Sequence, residues 1–402
     1  MKKKVMKRAA GIFLCAVLII AALQLKECGS RKSSDPETMN VALFPYVPDI
    51  ESFEAAIQKN WQEIHPQTAP NFICWDCYEN DPGKDLDVFV FDAIFLSHYI
   101  DAGYLLPIPQ EKLEHAEDFL PFAMEGLSRD GVVYALPQLL CTQILYTRKE
   151  DTALSEADSL ADLYDVIGDR EEKTEIYGEN EGLLVDMTSG IMTISMYLDA
   201  LCDISREYST YETLPDPDDI SDEALEAVRQ LVRIGGIEQL QYDTGDEYYL
   251  RAQWFADGKG RAYIDYTEAM SVMPEMADDV VLRPFSFVED ENIPLMYCDG
   301  AGILSSIEED RKDLAIDLLN IITNSQVMEE AIAANDSPQY LLPARFSVYE
   351  SLAAQFPVCS RLEEIASDPD NRVYRIGKDA REYLSEAKTV LPDLLFEESF
   401  AP

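Results

Sequence analysis

The sequence predicts an α/β protein of two lobes. The chain has 402 residues, and an average domain needs about 150, so two lobes plus an export segment account for its length. Strand-like and helix-like segments alternate over the first hundred residues, which favours a mixed or parallel sheet flanked by helices. A strand-like run at 302–304, followed by a helical pattern, indicates that the chain returns late to its first lobe.

The first lobe begins with a predicted strand over residues 39–46. Apolar residues at helical spacing predict a helix over 50–64, which Pro66 ends. Further strands are predicted over 71–78 and 87–91, both rich in β-forming side chains.

The middle of the chain predicts a passage between the lobes. Residues 131–148 are rich in strand formers and contain Pro137 near their centre, which suggests two extended pieces joined by a crossing at 136–140. Helical patterns follow near 157–167, 190–204 and 221–234, and later over 309–333 and the C-terminal part.

The N-terminus has the layout of a secretory signal peptide. Basic residues precede an uncharged apolar run over 9–23, which is shorter than the roughly 20 residues that span a bilayer. Cys28 follows and is a candidate lipidation site, as in bacterial lipoproteins. Lys26 and Glu27 stand where a lipoprotein signal usually has small residues, so cleavage without lipidation remains an alternative.

The charge balance argues against one class of partner. The formal net charge is −44, so the phosphate backbone of a nucleic acid would be repelled. A small cationic ligand would be attracted by the same field. The alternative is that the charge serves only solubility.

Familiar catalytic motifs such as GxSxG, the P-loop, HExxH and GxGxxG do not occur. Cys74 and Cys77 form a C-x-x-C pattern, but no second pair of zinc ligands accompanies it. On the predicted strand they would point to opposite faces, which disfavours a shared metal or a direct disulfide. The scattered cysteines do not resemble a disulfide scaffold, and we expect some of them to be free thiols.

Two residues could form a nucleophile and its base. Cys141 comes just past the predicted crossing, where a cleft should open, and Glu268 follows a strand-like run in the second lobe. A thiol needs a base to become the reactive thiolate, and a carboxylate in a semi-enclosed cleft can serve. The residues alone leave two alternatives open: a buried structural cysteine and an acid at the start of a helix.

Aromatic and acidic residues recur at the ends of predicted strands. Tyrosine faces together with carboxylates suit a flat, cationic heteroaromatic ligand through stacking and charge pairing. The residues in question are Tyr46, Tyr78, Asp92, Tyr249, Tyr266, Tyr297 and Asp299.

The order of elements resembles that of type II extracellular solute-binding proteins, in which ligands lie in the cleft between two lobes. The N-terminal layout predicts a signal peptide at 1–27 and a tether at 28–38. The resemblance predicts lobe 1 at 39–141 and 296–345, and lobe 2 at 142–295 and 346–402.

Five stretches, in order, resemble thiamine pyridinylase, the thiaminase I family, between about residues 40 and 395. They are VALFPYVPD, DLDVFVFDAIFLSHYIDAGYLLP, YALPQLLCTQILY, RAQWFADGKGRAYIDYTEAM and PQYLLPAR. The resemblance implies Cys141 as the nucleophile and Glu268 as the acid and base. It also implies that the aromatic and acidic residues named above form the substrate pocket. Phe44 departs from the family by standing where a tyrosine is expected.

The implied activity is a thiamine-degrading transferase. Cys141 would add to the pyrimidine of thiamine beside the carbon that bears the bridging methylene, the thiazole would leave, and an amine, pyridine or thiol would take the pyrimidine. The partners are therefore thiamine and a small nucleophile, with no metal, organic cofactor or nucleic acid. The protein is expected to be a monomer, secreted or held outside the cytoplasm by a lipid anchor. The alternative is a non-enzymatic solute-binding lipoprotein that delivers a thiamine-like ligand to a transporter.

Overall fold

The computed structural model describes residues 38–170, 181–187, 190–206, 220–236, 249–288 and 292–399. The predicted signal peptide, Cys28 and the tether up to residue 37 lie outside the described residues. Across the described ranges, no helix is long and apolar enough to cross a membrane.

Helices of at least six residues are numbered in chain order. They are α1 Ile50–Ile64, α2 Leu96–Asp101, α3 Pro121–Gly126, α4 Leu160–Ile167, α5 Gly190–Ser205, α6 Asp222–Gly235, α7 Leu250–Ala256, α8 Lys312–Ile322, α9 Ser325–Ile332, α10 Phe346–Gln355, α11 Val358–Ala366 and α12 Ala380–Ser399. The strands are β1 Asn40–Ala42, β2 Asn71–Phe72, β3 Val88–Asp92, β4 Ser128–Arg129, β5 Val132–Val133, β6 Ala135–Cys141, β7 Gln143–Arg148, β8 Leu183–Val185, β9 Ala262–Tyr266, β10 Val280–Pro284, β11 Leu295–Ile303, β12 Leu342–Pro343 and β13 Arg372–Val373.

The strands form two principal sheets. The larger sheet has the order β12-β6-β11-β3-β1-β2, and β13 adds to β11; the smaller has the order β10-β7-β9-β8. Helices α1 and α8 pack together beside the larger sheet, whereas α5 and α6 pack together beside the smaller one. Each sheet buries an apolar interior, including Phe89 and Phe91 in the larger and Leu145 and Ile264 in the smaller. The predicted α/β fold of two lobes is confirmed.

The chain passes from the larger sheet to the smaller one at Thr142. Strand β6 ends at Cys141 and β7 begins at Gln143, so this one residue separates the two sheets. The Thr142 hydroxyl donates to the Leu295 carbonyl (2.7 Å), and the Thr142 carbonyl accepts from the Thr267 N–H (3.1 Å). Both sheets are therefore hydrogen-bonded to the crossing.

The predicted crossing around Pro137 is wrong in position. Pro137 lies inside β6 opposite Gly300, where the register between β6 and β11 shifts. A proline cannot donate to a neighbouring strand, and an irregularity in the ladder is a place where that loss is tolerated. The strand therefore continues through Pro137 to Cys141.

Two other predictions need correction. Residues 71–78 were predicted to form one strand, but β2 ends at Phe72 and a turn follows, so Cys74 and Tyr78 do not share a strand face. The helix predicted over 309–333 is divided into α8 and α9, because Asn324 caps the second helix by accepting from the Val327 N–H (2.6 Å).

Candidate active site

Cys141 lies at the last position of β6, half-buried beside the crossing. It pairs with Tyr297 of β11 in the larger sheet. Two residues further along the chain, Gln143 pairs with Tyr266 of β9 in the smaller sheet. The thiol therefore lies where the two sheets meet.

Glu268 approaches Cys141 from the smaller sheet. Strand β9 ends at Tyr266 and a 3₁₀ turn over Thr267–Val272 follows, so Glu268 lies in the first turn after the strand. The Tyr146 hydroxyl donates to the carbonyls of Tyr266 (2.6 Å) and Thr267 (3.1 Å), which fixes this bend. The buried Glu268 carboxylate accepts a hydrogen bond from the backbone N–H of Glu268 itself and interacts with neighbouring side chains.

Three side chains interact with this carboxylate. The Thr267 hydroxyl donates to Oε2 (3.3 Å), and the Tyr249 hydroxyl lies 3.5 Å from Oε1. The Cys141 thiol is the third, and it is close enough that each of the two groups shifts the pKa of the other. A thiol and a carboxylate from different sheets thus lie next to each other.

Burial changes the acidity of both groups. It raises the pKa of Glu268 to about 7, and the nearby Asp265 carboxylate adds to the rise. Burial also raises the pKa of the Cys141 thiol well above its usual range, and the negative charges of Glu268, Asp299 and Asp92 reinforce this effect. Near neutral pH, Glu268 can therefore both take and return a proton, while the thiol stays protonated.

Two further carboxylates lie beside the thiol. Asp92 and Asp299 are directly opposite each other in the antiparallel pair of β3 and β11. Burial raises the pKa of Asp92 to about 6, and burial with the Asp92 charge raises the pKa of Asp299 well above its usual range. The Tyr78 hydroxyl donates to Asp92 Oδ2 (2.6 Å), and the Ile94 N–H donates to Oδ1 (2.9 Å). A bound cation would reduce the electrostatic repulsion among these buried carboxylates.

Aromatic rings line the same region. Tyr266 and Tyr297, on different sheets, meet edge to face with centroids 5.1 Å apart. The ring centroid of Tyr374, which follows β13, lies 4.8 Å from that of Tyr297, and Ser195 on α5 lies close to all three phenols. These rings provide flat surfaces for a planar ligand.

The remaining predicted residues occupy different depths. Tyr249 adopts a left-handed backbone conformation (φ 60°), unusual for a bulky side chain, and this conformation brings its hydroxyl to Glu268. Tyr46 is 43% exposed and donates to Asp76, so it lies at the rim. The Phe44 ring contacts Tyr46 and Tyr78 with centroids 5.4 Å and 6.5 Å away, and the two tyrosine rings also contact each other at 5.9 Å.

The structure brings eight of the nine predicted site residues into one largely buried cluster, with Tyr46 at its edge. The eight are Cys141, Glu268, Asp92, Asp299, Tyr78, Tyr249, Tyr266 and Tyr297. Tyr374, Ser195 and Tyr146 also contribute, and the sequence did not identify them. They lie on three separate elements, and no local motif marks them.

The other cysteines in the described ranges are not all in the same state. Cys77, Cys298 and Cys359 are buried free thiols, whereas Cys74 is disulfide-bonded to a partner other than Cys77. Within the described ranges, no group of three or more His, Cys, Asp or Glu side chains is arranged to hold a metal ion. The expectation that some cysteines are free is confirmed.

The two-lobed architecture matches that of sugar-binding proteins. The GacH receptor of Streptomyces glaucescens superimposes with a TM-score of 0.62 at 17% identity, covering 90% of this chain and 99% of that chain. At this identity the likeness defines the fold, which is that of the type II periplasmic-binding proteins.

Closer relatives define the family. The family model for the Thiaminase-1 domain matches residues 142–288. Thiaminase-1 of Paenibacillus thiaminolyticus is 40% identical over 388 residues, which is 96% of this chain and 94% of that protein. The structure of Clostridium botulinum thiaminase I in complex with thiamin is 43% identical, with a TM-score of 0.86, covering 89% of this chain and 99% of that chain. The chain belongs to the thiaminase I family of thiamine-degrading transferases.

The raised pKa values predict how stability depends on pH. Asp92 and Asp265 have pKa values raised by burial to about 6, and that of Glu268 is about 7. An acid with a raised pKa binds its proton more tightly when folded, so its stabilising contribution is complete below its unfolded pKa and disappears as the pH rises through the folded value. Each group contributes about 3 kcal/mol at most. We expect the Tm to fall by about 5 °C or more between pH 5 and pH 8.

Differential scanning calorimetry in about 0.5 M NaCl would measure this slope with surface repulsion screened. The Glu268→Gln variant should show a shallower decline between pH 6 and pH 8. A Tm that stays constant or increases over this range would contradict the ionisation changes described here.

Proposed function

We propose that this protein cleaves thiamine by nucleophilic substitution in the cleft between its lobes. Cys141 would act as the nucleophile and Glu268 as the acid and base. The observation that carries this proposal is the contact between the Cys141 thiol and a carboxylate whose pKa is raised by burial to about 7. A base with a pKa near the working pH transfers protons in both directions efficiently.

In the first half-reaction, ionised Glu268 takes the thiol proton, and the sulfur adds to the ring carbon beside the one that bears the methylene while the electron pair of that ring C=N bond moves onto nitrogen. This pair then moves through the ring to form a double bond to the methylene carbon as the bond between the methylene and the thiazolium nitrogen breaks, so the thiazole departs neutral with the electron pair of the broken bond. In the second half-reaction, an amine, pyridine or thiol adds to the exocyclic methylene carbon, the electron pair returns to the ring nitrogen, and the C–S bond breaks as the ring C=N bond forms again and the sulfur leaves as thiolate. The thiolate recovers a proton through Glu268. Two successive substitutions predict ping-pong kinetics.

The substrate itself would help to activate the thiol. Without a ligand, the Glu268, Asp299 and Asp92 charges oppose ionisation of Cys141. Thiamine carries a positive charge, and a cation within a few ångströms of these groups stabilises every negative charge there. The thiolate is therefore expected to form readily only when thiamine is bound.

Recognition would use the acids and the aromatic rings together. Asp92 and Asp299 would accept hydrogen bonds from the aminopyrimidine and stabilise charge in the adduct. Tyr266 and Tyr297, edge to face at 5.1 Å, would contact the flat rings of thiamine. The Clostridium botulinum relative crystallised with thiamin supports this choice of ligand.

A non-enzymatic receptor is the other function compatible with this fold, and the solute-binding proteins that share the architecture are the precedent. A receptor has no use for a thiol in contact with a base, and membership in the thiaminase I family favours the enzyme.

We further propose that the protein acts outside the cytoplasm, with Cys28 as the candidate lipid attachment site.

Product analysis tests the reaction. The purified protein would be incubated with thiamine and excess pyridine or aniline, and the products followed by mass spectrometry. We expect a conjugate of the pyrimidinylmethyl group with the amine, plus free thiazole in equal amount. Intact thiamine together with measurable binding would instead identify a receptor.

A further inference from the structure

Arg381 makes a dense set of contacts in the first turn of α12, far along the chain from the candidate site. Its Nε donates to Asp81 Oδ1 (2.6 Å), and His98 lies 2.9 Å from the same carboxylate oxygen. Its guanidinium also lies over the Phe95 ring, 4.9 Å from the centroid. One planar side chain thus binds a carboxylate and an aromatic face together, which arginine does better than lysine.

The same guanidinium binds the backbone of the loop after β2. Nη2 donates to the Cys77 carbonyl (2.8 Å), and Nη1 lies 3.5 Å from the Tyr78 carbonyl. These carbonyls belong to a turn rather than to a regular strand, so no sheet partner holds them. Hydrogen bonds from an arginine can replace those that a neighbouring strand would supply to these carbonyls.

Tyr78 connects this loop to the candidate pocket. Its hydroxyl donates to Asp92 (2.6 Å), and its ring packs against Phe95 with centroids 5.3 Å apart. Arg381 therefore contacts the backbone of Tyr78, and it also contacts the ring on which the Tyr78 side chain rests. A single residue, Tyr78, therefore links Arg381 to Asp92.

Helix α12 brings Arg381 to this position from the other lobe. Its length packs against α5 and α6, the helices beside the smaller sheet. Its first turn reaches α2 and the turn over Ala93–Phe95, beside the larger sheet. The helix that carries Arg381 thus spans both lobes.

We propose that Arg381 is a positioning residue for the Tyr78–Asp92 hydrogen bond, and thereby for the thiamine pocket of the proposed function on which this inference rests. Arg381 does not touch the ligand. It fixes the 77–81 loop so that the Tyr78 hydroxyl stays directed at Asp92.

The hydrogen bond from Tyr78 lowers the pKa of Asp92, in opposition to burial. Without Arg381 the hydrogen bond from Tyr78 to Asp92 weakens, so the pKa of Asp92 rises. At a given pH, Asp92 then carries less of the negative charge that attracts a cationic ligand. Other ionisable groups face Asp92 and stay in place. They are Cys77, Cys141, Cys298, Asp299 and Tyr374.

The test measures kcat, KM for thiamine and the pH profile of kcat/KM for Arg381→Met. We expect KM to rise about tenfold, the effect of one lost hydrogen bond, with kcat changed less than about threefold. The acid limb of kcat/KM should move up by about 0.5 pH unit. Arg381→Lys keeps a charge beside Asp81 but cannot span the carbonyls, so its KM should be intermediate.

The matched control is Arg345→Met. Arg345 has the same kind of contacts, with Nε donating to the Thr323 carbonyl (2.6 Å), Nη1 to the His115 carbonyl (2.8 Å) and the guanidinium over Phe119 at 3.6 Å. It lies outside the candidate pocket. This variant should lose thermal stability without changing KM or the pH profile.

Tyr78→Phe completes a double-mutant cycle. If Arg381 acts through Tyr78, Tyr78→Phe alone should raise KM and shift the profile, and adding Arg381→Met should change neither further. Additive effects, or an Arg381→Met variant that only loses stability as Arg345→Met does, would overturn the inference. A wild-type protein that binds thiamine but does not cleave it would overturn the proposed function instead.

Discussion

Replacing Cys141 with serine is expected to abolish thiamine cleavage, lowering kcat by about 10⁴-fold or more. A serine hydroxyl is far less acidic than a thiol, and Glu268, whose pKa is about 7, is too weak a base to activate it. Serine nearly preserves size and hydrogen bonding, so thiamine affinity should stay within about threefold of the wild-type value. Isothermal titration calorimetry and product analysis on the same preparation would separate binding from turnover.

Cys359→Ser is the matched control. Cys359 is a buried free thiol on α11, away from the crossing. Its replacement should leave kcat unchanged apart from any loss of stability. If Cys141→Ser cleaves thiamine at a rate near that of the wild type, another group must be the nucleophile and the assignment of Cys141 is incorrect.

Replacing Glu268 with glutamine is expected to lower kcat by about 10²- to 10⁴-fold, the usual contribution of a general base. Glu268 must be ionised to take the thiol proton, so wild-type kcat/KM should rise with pH through about 7 and then reach a plateau. In the variant the rise near pH 7 should disappear, because the titrating carboxyl is absent, and only the rise near pH 6 that ionisation of Asp92 produces should remain. Initial rates between pH 5 and pH 9 would define both profiles.

Glu275→Gln provides the control for loss of one negative charge. Glu275 is exposed and lies in the short turn Pro274–Met276, one turn beyond the bend that carries Glu268. Its rates and pH profile should match those of the wild type. A rise near pH 7 that persists in Glu268→Gln would mean that another group controls it.

Much of the fold could be predicted because it depends on local patterns. The helix over 50–64 was predicted at its observed bounds, since apolar spacing and Pro66 define both ends. The predicted strand over 87–91 corresponds to β3, whose residues are all buried. Local signals were misleading where contacts between distant segments determine the structure. At Pro137, a register shift against β11 lets β6 continue through the proline.

The candidate site was predicted from a mixture of position and resemblance. The residues alone favoured neither Cys141 nor Glu268 as a functional group, because the contact between them depends on how the two sheets meet at Thr142. Tyr374 and Ser195 were not predicted, since their distance to Tyr297 is a property of packing between elements far apart in the chain. Spacing in the sequence carries no signal for such contacts.

The crossing at Thr142 gives the proposed chemistry a dependence on the angle between the lobes. Cys141 ends a strand of the larger sheet, whereas Glu268 follows a strand of the smaller one. In the proposed mechanism, a rotation about Thr142 that opened the cleft would carry the sulfur away from its base, and a thiol without a base is a poor nucleophile near neutral pH. The sulfur would then react only in the closed arrangement, and electrophiles that entered an open cleft would meet a protonated thiol.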